Sequence, residues 1–258
     1  MLEFCSLASG SSGNCLYVAS PAAALLIDCG ISGKKVLERL DEIDADLSKF
    51  KGILITHDHK DHIGCVGVIS RKLGIPVYAT KPTLNSILSS DCNIKNFKVA
   101  EERFCIEDIC IKMVKTSHDA PDSHGYIFTH EDSKISVMTD LGFVTNDIIE
   151  ECASSSFAFI EANYDPKMLM YGSYPPETKR RIASEIGHLS NDDCAKFVCS
   201  LAKLGTKKFM LGHISSENNM TTLALNTVKD ALDFMGINTD DFYISVATKY
   251  DKSDYIKV

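Results

Sequence analysis

Apolar residues along the chain follow two rhythms. Short runs rich in β-branched and aromatic residues, bounded by Gly, Ser, Asn and Asp, predict strands at 2–8, 15–19, 24–28, 52–56, 77–79, 109–115, 126–129, 134–139, 157–162, 208–211, 242–247 and 255–258. Helical spacing predicts helices at 33–40, 63–73, 145–153, 191–204 and 222–235. Gly74, Gly205 and Gly236 stand where three of these helices stop. Ser190 takes the N-cap position of the 191–204 helix, with Asp193 where a capping-box acid sits. Gly10-Ser11-Ser12-Gly13-Asn14 is a turn between the first two strands. Strands and helices interleave with no linker rich in Pro, Gly or Ser. The pattern therefore predicts one α/β domain over residues 1–258, two sheets covered by helices.

Composition narrows the class. A chain of 258 residues, 45% hydrophobic and 24% charged, is neither disordered, collagen-like nor a coiled coil. Its longest apolar run, Ala22-Ala23-Ala24-Leu25-Leu26-Ile27, is far short of the roughly 20 residues a bilayer requires. Met1-Leu2-Glu3-Phe4 lacks the basic-then-apolar order of a secretory signal, so the expectation is a cytoplasmic protein without a membrane partner. A net charge of −8 argues against gripping nucleic acid by bulk electrostatics, while leaving room for a local basic patch or a metal site. The ten cysteines include no Cys-x-x-Cys and read as small hydrophobes of a reducing compartment, with no disulfide expected.

Candidate chemistry concentrates at His57-Asp58-His59-Lys60-Asp61-His62, directly after the apolar strand at 52–56. A loop at the end of a buried strand is a rigid mount for ligands. Imidazole and carboxylate suit Zn²⁺, Mn²⁺ or Fe²⁺. Six residues cannot wrap one ion with every side chain. A His-x-His pair can hold one ion while Asp-His turns to a second, about 3.5–4 Å away across a bridging hydroxide. Further candidates sit where later strands give way to loops: His118, Asp140 and His213. His124, in a Pro-Asp-Ser turn, and His130, at a polar hairpin tip, read as solvated.

With His-x-His-x-Asp-His followed by a later His, an Asp and a final His, the chain resembles the metallo-β-lactamase superfamily from residue 1 to about residue 247. The resemblance implies an αββα sandwich, two mixed sheets flanked by helices, with the metals at one edge. It implies that His57, His59 and His118 hold one divalent ion, that Asp61, His62 and His213 hold a second, and that Asp140 bridges them. It also implies that Asp28 buttresses the histidine loop. Phe159-Ile160-Glu161-Ala162-Asn163, Gly187-His188-Leu189-Ser190 and Leu211-Gly212-His213-Ile214-Ser215 look like motifs of the tRNase Z-type phosphodiesterases, in which a histidine oriented by a glutamate protonates the leaving oxygen. Ser6-Leu7-Ala8-Ser9-Gly10-Ser11-Ser12-Gly13-Asn14, Lys179-Arg180-Arg181-Ile182 and Glu217-Asn218-Asn219 are similar to the YycJ/WalJ-like group, associated with 5′-to-3′ exonuclease activity on DNA.

These resemblances imply a bridging hydroxide as nucleophile, oriented by Asp61, with His188 steadied by Glu161 as general acid. A substrate of DNA, more than RNA, follows from the same group; a homo-oligomer is left open. Lys179, Arg180 and Arg181 answer the charge objection as phosphate contacts, since arginine grips phosphate in a bidentate fork. Ser11, Ser12 and Asn14 could cradle a phosphate in their turn. Two rivals remain: a thioester or other small-molecule metallohydrolase of this fold, and a regulatory nucleic-acid-binding module whose metals are structural. The acid–base pair speaks against both, because a thiolate leaves unaided and a structural metal requires no spare acid.

Overall fold

The computed structural model describes residues 1–89 and 92–258. In the strand Ala24–Ile27 all four side chains are buried, Leu25 and Ile27 on one face, Ala24 and Leu26 on the other. Side chains alternate along a strand, so an unbroken apolar run marks a strand covered on both sides.

The first sheet is built from β1 (Glu3–Ala8), β2 (Cys15–Ala19), β3 (Ala24–Ile27), β4 (Phe50–Leu54), β5 (Val77–Ala79) and β6 (Phe97–Val99). The second is built from β7 (Arg103–Ile106), β8 (Ile109–Lys115), β9 (His124–His130), β10 (Ser133–Met138), β11 (Phe157–Glu161), β12 (Lys208–Gly212) and β13 (Tyr243–Val246), in sequence order. β14 (Ile256–Lys257) returns antiparallel to β1 at the edge of the first sheet. The inner faces meet through Phe4, Val18 and Ile27 from one sheet and Phe128, Phe157 and Phe159 from the other. Phe4 packs at a tilt against both Phe157 and Phe159, with ring centroids 4.7 and 5.4 Å away.

Helices α1 (Gly33–Asp41), α2 (Lys60–Ile63), α3 (Val66–Leu73) and α4 (Lys81–Leu88) belong to the first half. Val36, Leu40, Ile69 and Leu84 from α1, α3 and α4 cover the outer face of the first sheet. In the second half come α5 (Asn146–Cys152), α6 (Pro166–Tyr171), α7 (Pro176–Ile182), α8 (Asn191–Lys203) and α9 (Thr221–Phe234). Ile148, Phe197, Val198, Val228 and Leu232 cover the outer face of the second sheet. The result is the expected layering of helices, sheet, sheet and helices.

Strand direction gathers the functional loops. β3 runs parallel to β4, and β10 to β11 and β12. β8 is antiparallel to β9, which is antiparallel to β10, so β8 points the same way as β10. The loops after β3, β4, β8, β10, β11 and β12 therefore leave at one edge of the sandwich, where ligands of open α/β sheets bind.

Three expectations change. The helix predicted over 63–73 breaks at Gly64-Cys65 into α2 and α3, and α2 starts early enough to carry Asp61 and His62. Backbone bonds to the neighbouring loops impose the break: Cys65 N donates to Cys29 O, Cys29 N to His62 O and Asn14 N to Asp61 O. The contact is so close that a Cβ on Gly30 would lie 1.6 Å from Asp61 O. The elements α4, α6, α7, β6 and β7 are absent from the sequence reading because their apolar patterns are too short to stand out. Finally, Cys105 and Cys110 form a disulfide, against the expectation of thiols throughout. The β7–β8 register sets them directly opposite each other, a relation invisible until the hairpin is paired. Cys5, Cys15, Cys29, Cys65, Cys152 and Cys194 are buried thiols, as expected of small hydrophobes.

Candidate metal centre

The histidine loop is anchored from below. Asp28 Oδ1 accepts from Thr56 N (2.9 Å), and Asp28 Oδ2 accepts from Thr56 Oγ1 (2.8 Å) and His62 Nδ1 (2.7 Å). Because the threonine hydroxyl is committed to Asp28, the 3.0 Å contact between Thr56 Oγ1 and His57 Nδ1 makes His57 Nδ1 the donor. One buried carboxylate thus sets the ring orientation of His62 directly and of His57 through Thr56.

The same logic assigns the other rings. His118 Nδ1 donates to Gly187 O (2.9 Å), and His213 Nδ1 and His188 Nδ1 both donate to Glu161 Oε1, at 3.0 and 2.8 Å. Glu161 is fully buried, and its Oε2 accepts from the backbone N–H groups of Leu141 and Leu189. With each Nδ1 committed, the Nε2 atoms of His57, His62, His118, His188 and His213 are the ones left to face other partners.

Two clusters result. Ligand atoms of His57, His59 and His118 lie within 4.8 Å of one another, as do those of Asp61, His62 and His213. Asp140 stands between them, its Oδ2 3.4 Å from His62 Nε2 and its Oδ1 3.8 Å from His118 Nε2 and 3.2 Å from His213 Nδ1. His57 Nε2, His213 Nε2 and Asp140 Oδ2 are buried and have no hydrogen-bond partner. An unpartnered buried polar atom costs about 1–3 kcal/mol, so three of them spread over the two clusters and the carboxylate between mark places that are completed by something bound. The nitrogen and carboxylate donors fit divalent cations.

Backbone conformation supports this. Asp28, Asp140 and His213 have φ of 60°, 57° and 55°; Asp28 and His213 directly follow β3 and β12, and Asp140 stands two residues beyond β10. Left-handed geometry in residues other than glycine costs of order 1 kcal/mol or more and persists where surrounding structure holds it. Here it bends the chain just as the sheet ends and turns each side chain back over the edge. His213 N also donates to Ser9 Oγ (2.7 Å), tying the last candidate ligand to the first loop.

Charge balance differs between the two clusters. Burial, with the neighbouring imidazoles His62, His118 and His59, pushes His57 well below the usual histidine range. Burial likewise lowers His118 against the pull of Asp140. Both rings are neutral and ligand-ready at physiological pH. Around His213, burial acts to lower the pKa but is outweighed by Asp140, Asp61 and Glu161, which push it up to about 10. His62 is raised in the same way by Asp140 and Asp28 despite burial. Asp61 and Glu161 are held well below the carboxylate range: their burial is overcome by His213 and His62 for Asp61, and by His188 and His213 for Glu161.

Above the clusters lies a cavity of about 250 Å³ whose wall includes His59, Asp61, Asp140, His188 and His213. Of the three basic residues on α7, Arg181 reaches this wall. Its Nε donates to Asp119 Oδ2 (2.5 Å). Lys179 Nζ donates instead to Met170 O (2.8 Å), bracing the α6–α7 turn, and Arg180 is exposed outside the cavity. Ser11 lies on the wall and Ser12 in an adjoining cavity. Asn14 is buried and turned towards the clusters, its Nδ2 3.4 Å from Asp61 Oδ2 and its Oδ1 accepting from Gly10 N (3.0 Å).

Sequence reasoning missed Asp119, Asn163 and Tyr174. Asp119 Oδ1 lies 3.3 Å from His118 Nε2 and 3.8 Å from His59 Nε2; its signal was its place directly after His118. Asn163 Nδ2 donates to His213 O, and its position two residues after Glu161 was the available clue. The place of Tyr174 on the wall depends on how α6 and α7 fold over the edge. His124 and His130 stay outside the clusters, but both rings are largely buried rather than solvated. His130 Nε2 pairs with Asp108 at 3.0 Å and His124 packs near Asp122, because each lies at an end of β9, under neighbouring loops.

A sandwich of two such sheets with His-rich loops at one edge defines a class, and comparison with known proteins bears it out. Residues 24–214 match the beta-lactamase superfamily domain, and the chain belongs to that superfamily. Within it, the chain is 36% identical over 248 residues to exodeoxyribonuclease YycJ of Bacillus anthracis, covering 94% of this chain and 93% of that one. It is 38% identical over 232 residues to exodeoxyribonuclease WalJ of Streptococcus pneumoniae, covering 88% and 86%. Among solved structures, the metallo-beta-lactamase fold protein YhfI from Bacillus subtilis superposes with a TM-score of 0.73 at 14% identity, covering 98% of both chains. The resemblance read from the motifs therefore holds over most of the chain. Among the described residues no helix is long and apolar enough to cross a membrane.

Proposed function

We propose that the protein is a metal-dependent phosphodiesterase that removes nucleotides from an end of DNA. The observation that carries this reading is the shared Glu161 Oε1, which accepts from His188 on the cavity side and from His213 on the metal side. His188 thereby presents Nε2 to the cavity as a proton donor, held by the same carboxylate that orients a candidate ligand.

In this reading His57, His59 and His118 hold one divalent cation, Asp61, His62 and His213 a second, and Asp140 both; Zn²⁺, Mn²⁺ and Fe²⁺ suit the donor set. Cations held there supply solvent ionised near neutral pH and positive charge against the phosphate oxygens. Asp61 orients the attacking solvent, itself steadied by Asn14. Arg181, with Nε fixed on Asp119, offers its two terminal nitrogens to a phosphate. His188 gives its proton to the departing oxygen, and Glu161 stabilises the ring while it is charged.

The kinship with proteins named exodeoxyribonucleases supports DNA as the substrate. A thioester substrate is disfavoured because its thiolate leaves without an acid, which would leave the buried Glu161–His188 pair without a task.

The test is a panel of 5′-phosphorylated single- and double-stranded DNA and RNA, assayed with Mn²⁺ and with Zn²⁺, before and after chelation. Shortening of DNA from an end, abolished by chelator and restored by metal, is expected. Intact DNA under both metals, with hydrolysis of a thioester instead, would overturn the reading.

A further inference from the structure

The cavity above the metal centre is bounded on one side by Ser11 and Ser215. These two residues also line a second cavity of about 330 Å³, so the two spaces share a wall. That volume lies in the range of small-ligand pockets, about 300–1,000 Å³. No role described so far uses it.

Its chemistry is distinct. The first cavity carries the carboxylates Asp61 and Asp140. The second has no carboxylate among its described lining residues, in a chain of net charge −8. Its lining is hydroxyl-rich, with Ser11, Ser12, Ser216 and Thr248, and the charge it does carry is the ammonium of Lys249. Beside that ammonium stands Tyr250, 70% exposed, with Lys249 Nζ 5.4 Å from the ring centroid. A cation and hydroxyls next to an exposed aromatic ring match a phosphate joined to a base.

The wall is also firmly built. The buried guanidinium of Arg39 donates from Nη2 to Lys249 O (3.2 Å) and Tyr250 O (2.5 Å), and from Nη1 to Leu7 O at the end of β1. Ser9 N donates to Thr248 O (3.1 Å). The backbone of the segment after β13 is thus stitched to the loop that passes the metal centre, which places Lys249 and Tyr250 beside it.

We propose that this second cavity is the subsite for the terminal nucleotide of a phosphorylated DNA strand, Lys249 and the Ser11 and Ser12 hydroxyls receiving its phosphate and Tyr250 stacking on its base. The proposal rests on the phosphodiesterase reading above and adds how an end is recognised: the strand terminus fills the second cavity while the next phosphodiester lies over the metal centre.

The test compares 5′-phosphorylated and 5′-hydroxyl oligodeoxynucleotides with bis(p-nitrophenyl) phosphate, which has no terminal nucleotide. The parent should prefer the phosphorylated end. Lys249→Ala should erase that preference. Tyr250→Ala should raise KM for the oligonucleotide about tenfold relative to its effect on the small ester. An unchanged preference in Lys249→Ala, or equal effects of Tyr250→Ala on both substrates, would overturn the subsite. If the parent cleaves no phosphodiester at all, the functional reading fails by itself. Titration with deoxyadenosine 5′-monophosphate then decides the subsite: saturable binding lost in Lys249→Ala supports it, and no binding to the parent refutes it.

Discussion

Glu161 and His188 meet at 2.8 Å, the carboxylate fully buried and the imidazole on the wall of the cavity above the candidate metal centre. Glu161 has no spare acceptor capacity: both histidines use Oε1, and two backbone N–H groups use Oε2. A carboxylate so occupied holds its partner ring in one tautomer.

His188→Ala should therefore harm substrates with poor leaving groups more than nitrophenyl esters, by about 10²–10⁴-fold for the former. The check is the dependence of kcat on leaving-group pKa. Equal losses across the series would remove the general-acid role.

Asp61→Ala removes a carboxylate that touches both His62 and His213. Most phosphodiesterase activity should disappear, and metal content measured by mass spectrometry should fall at the second cluster. A variant that hydrolyses the ester as well as the parent would show the catalytic assignment to be wrong.

Asp28→Asn keeps the shape of the residue but replaces one acceptor oxygen with a donor, at a point where Thr56 and His62 both donate. Metal affinity should drop by about 10–100-fold. Calorimetric titration with Zn²⁺ would measure it, and unchanged affinity would mean the loop is held by other contacts.

The three basic residues of α7 should separate. Arg181→Ala, which removes a cavity wall residue, should raise KM for DNA about tenfold. Lys179→Ala and Arg180→Ala should change it little. Equal effects for all three would indicate a diffuse electrostatic surface.

A pH effect is expected away from the centre. Glu3 is lowered: its partial burial, which acts to raise it, is outweighed by the Tyr255 hydroxyl (2.5 Å) and Lys257 (2.9 Å) on the closing strand. A depressed carboxylate pKa adds stability above its unfolded value of about 4.3, and that contribution is lost as pH falls through the folded value. Glu3→Gln should flatten the pH dependence of unfolding in this acid range, measured by urea titration. A parallel shift with the slope unchanged would refute the linkage.

Much of this was legible before folding. The strand runs that are apolar at every position, such as 24–27, announce burial on both faces. His57, His59, Asp61 and His62 are neighbours in the chain, so their cluster is written locally. His118, Asp140 and His213 were readable as candidates because each stands at or just beyond the end of an apolar run, and Glu161 through the resemblance of its motif to the tRNase Z-type phosphodiesterases.

Other features depend on contacts between distant segments. The Cys105–Cys110 disulfide follows from strand register, and the break between α2 and α3 from hydrogen bonds to the 28–30 loop. Arg181, not its two basic neighbours, faces the centre because α7 presents one of three consecutive side chains to the cavity and Asp119 holds it there. The second cavity requires the segments around Ser11, Ser215 and Lys249 to converge, and Arg39 ties the end of β1 to the Lys249 segment. Periodicity and ligand type are local properties, carried by residues a few positions apart. Which lone pairs converge, which cation turns inward and which loops share a wall depend on long-range packing, and no stretch of chain carries that information alone.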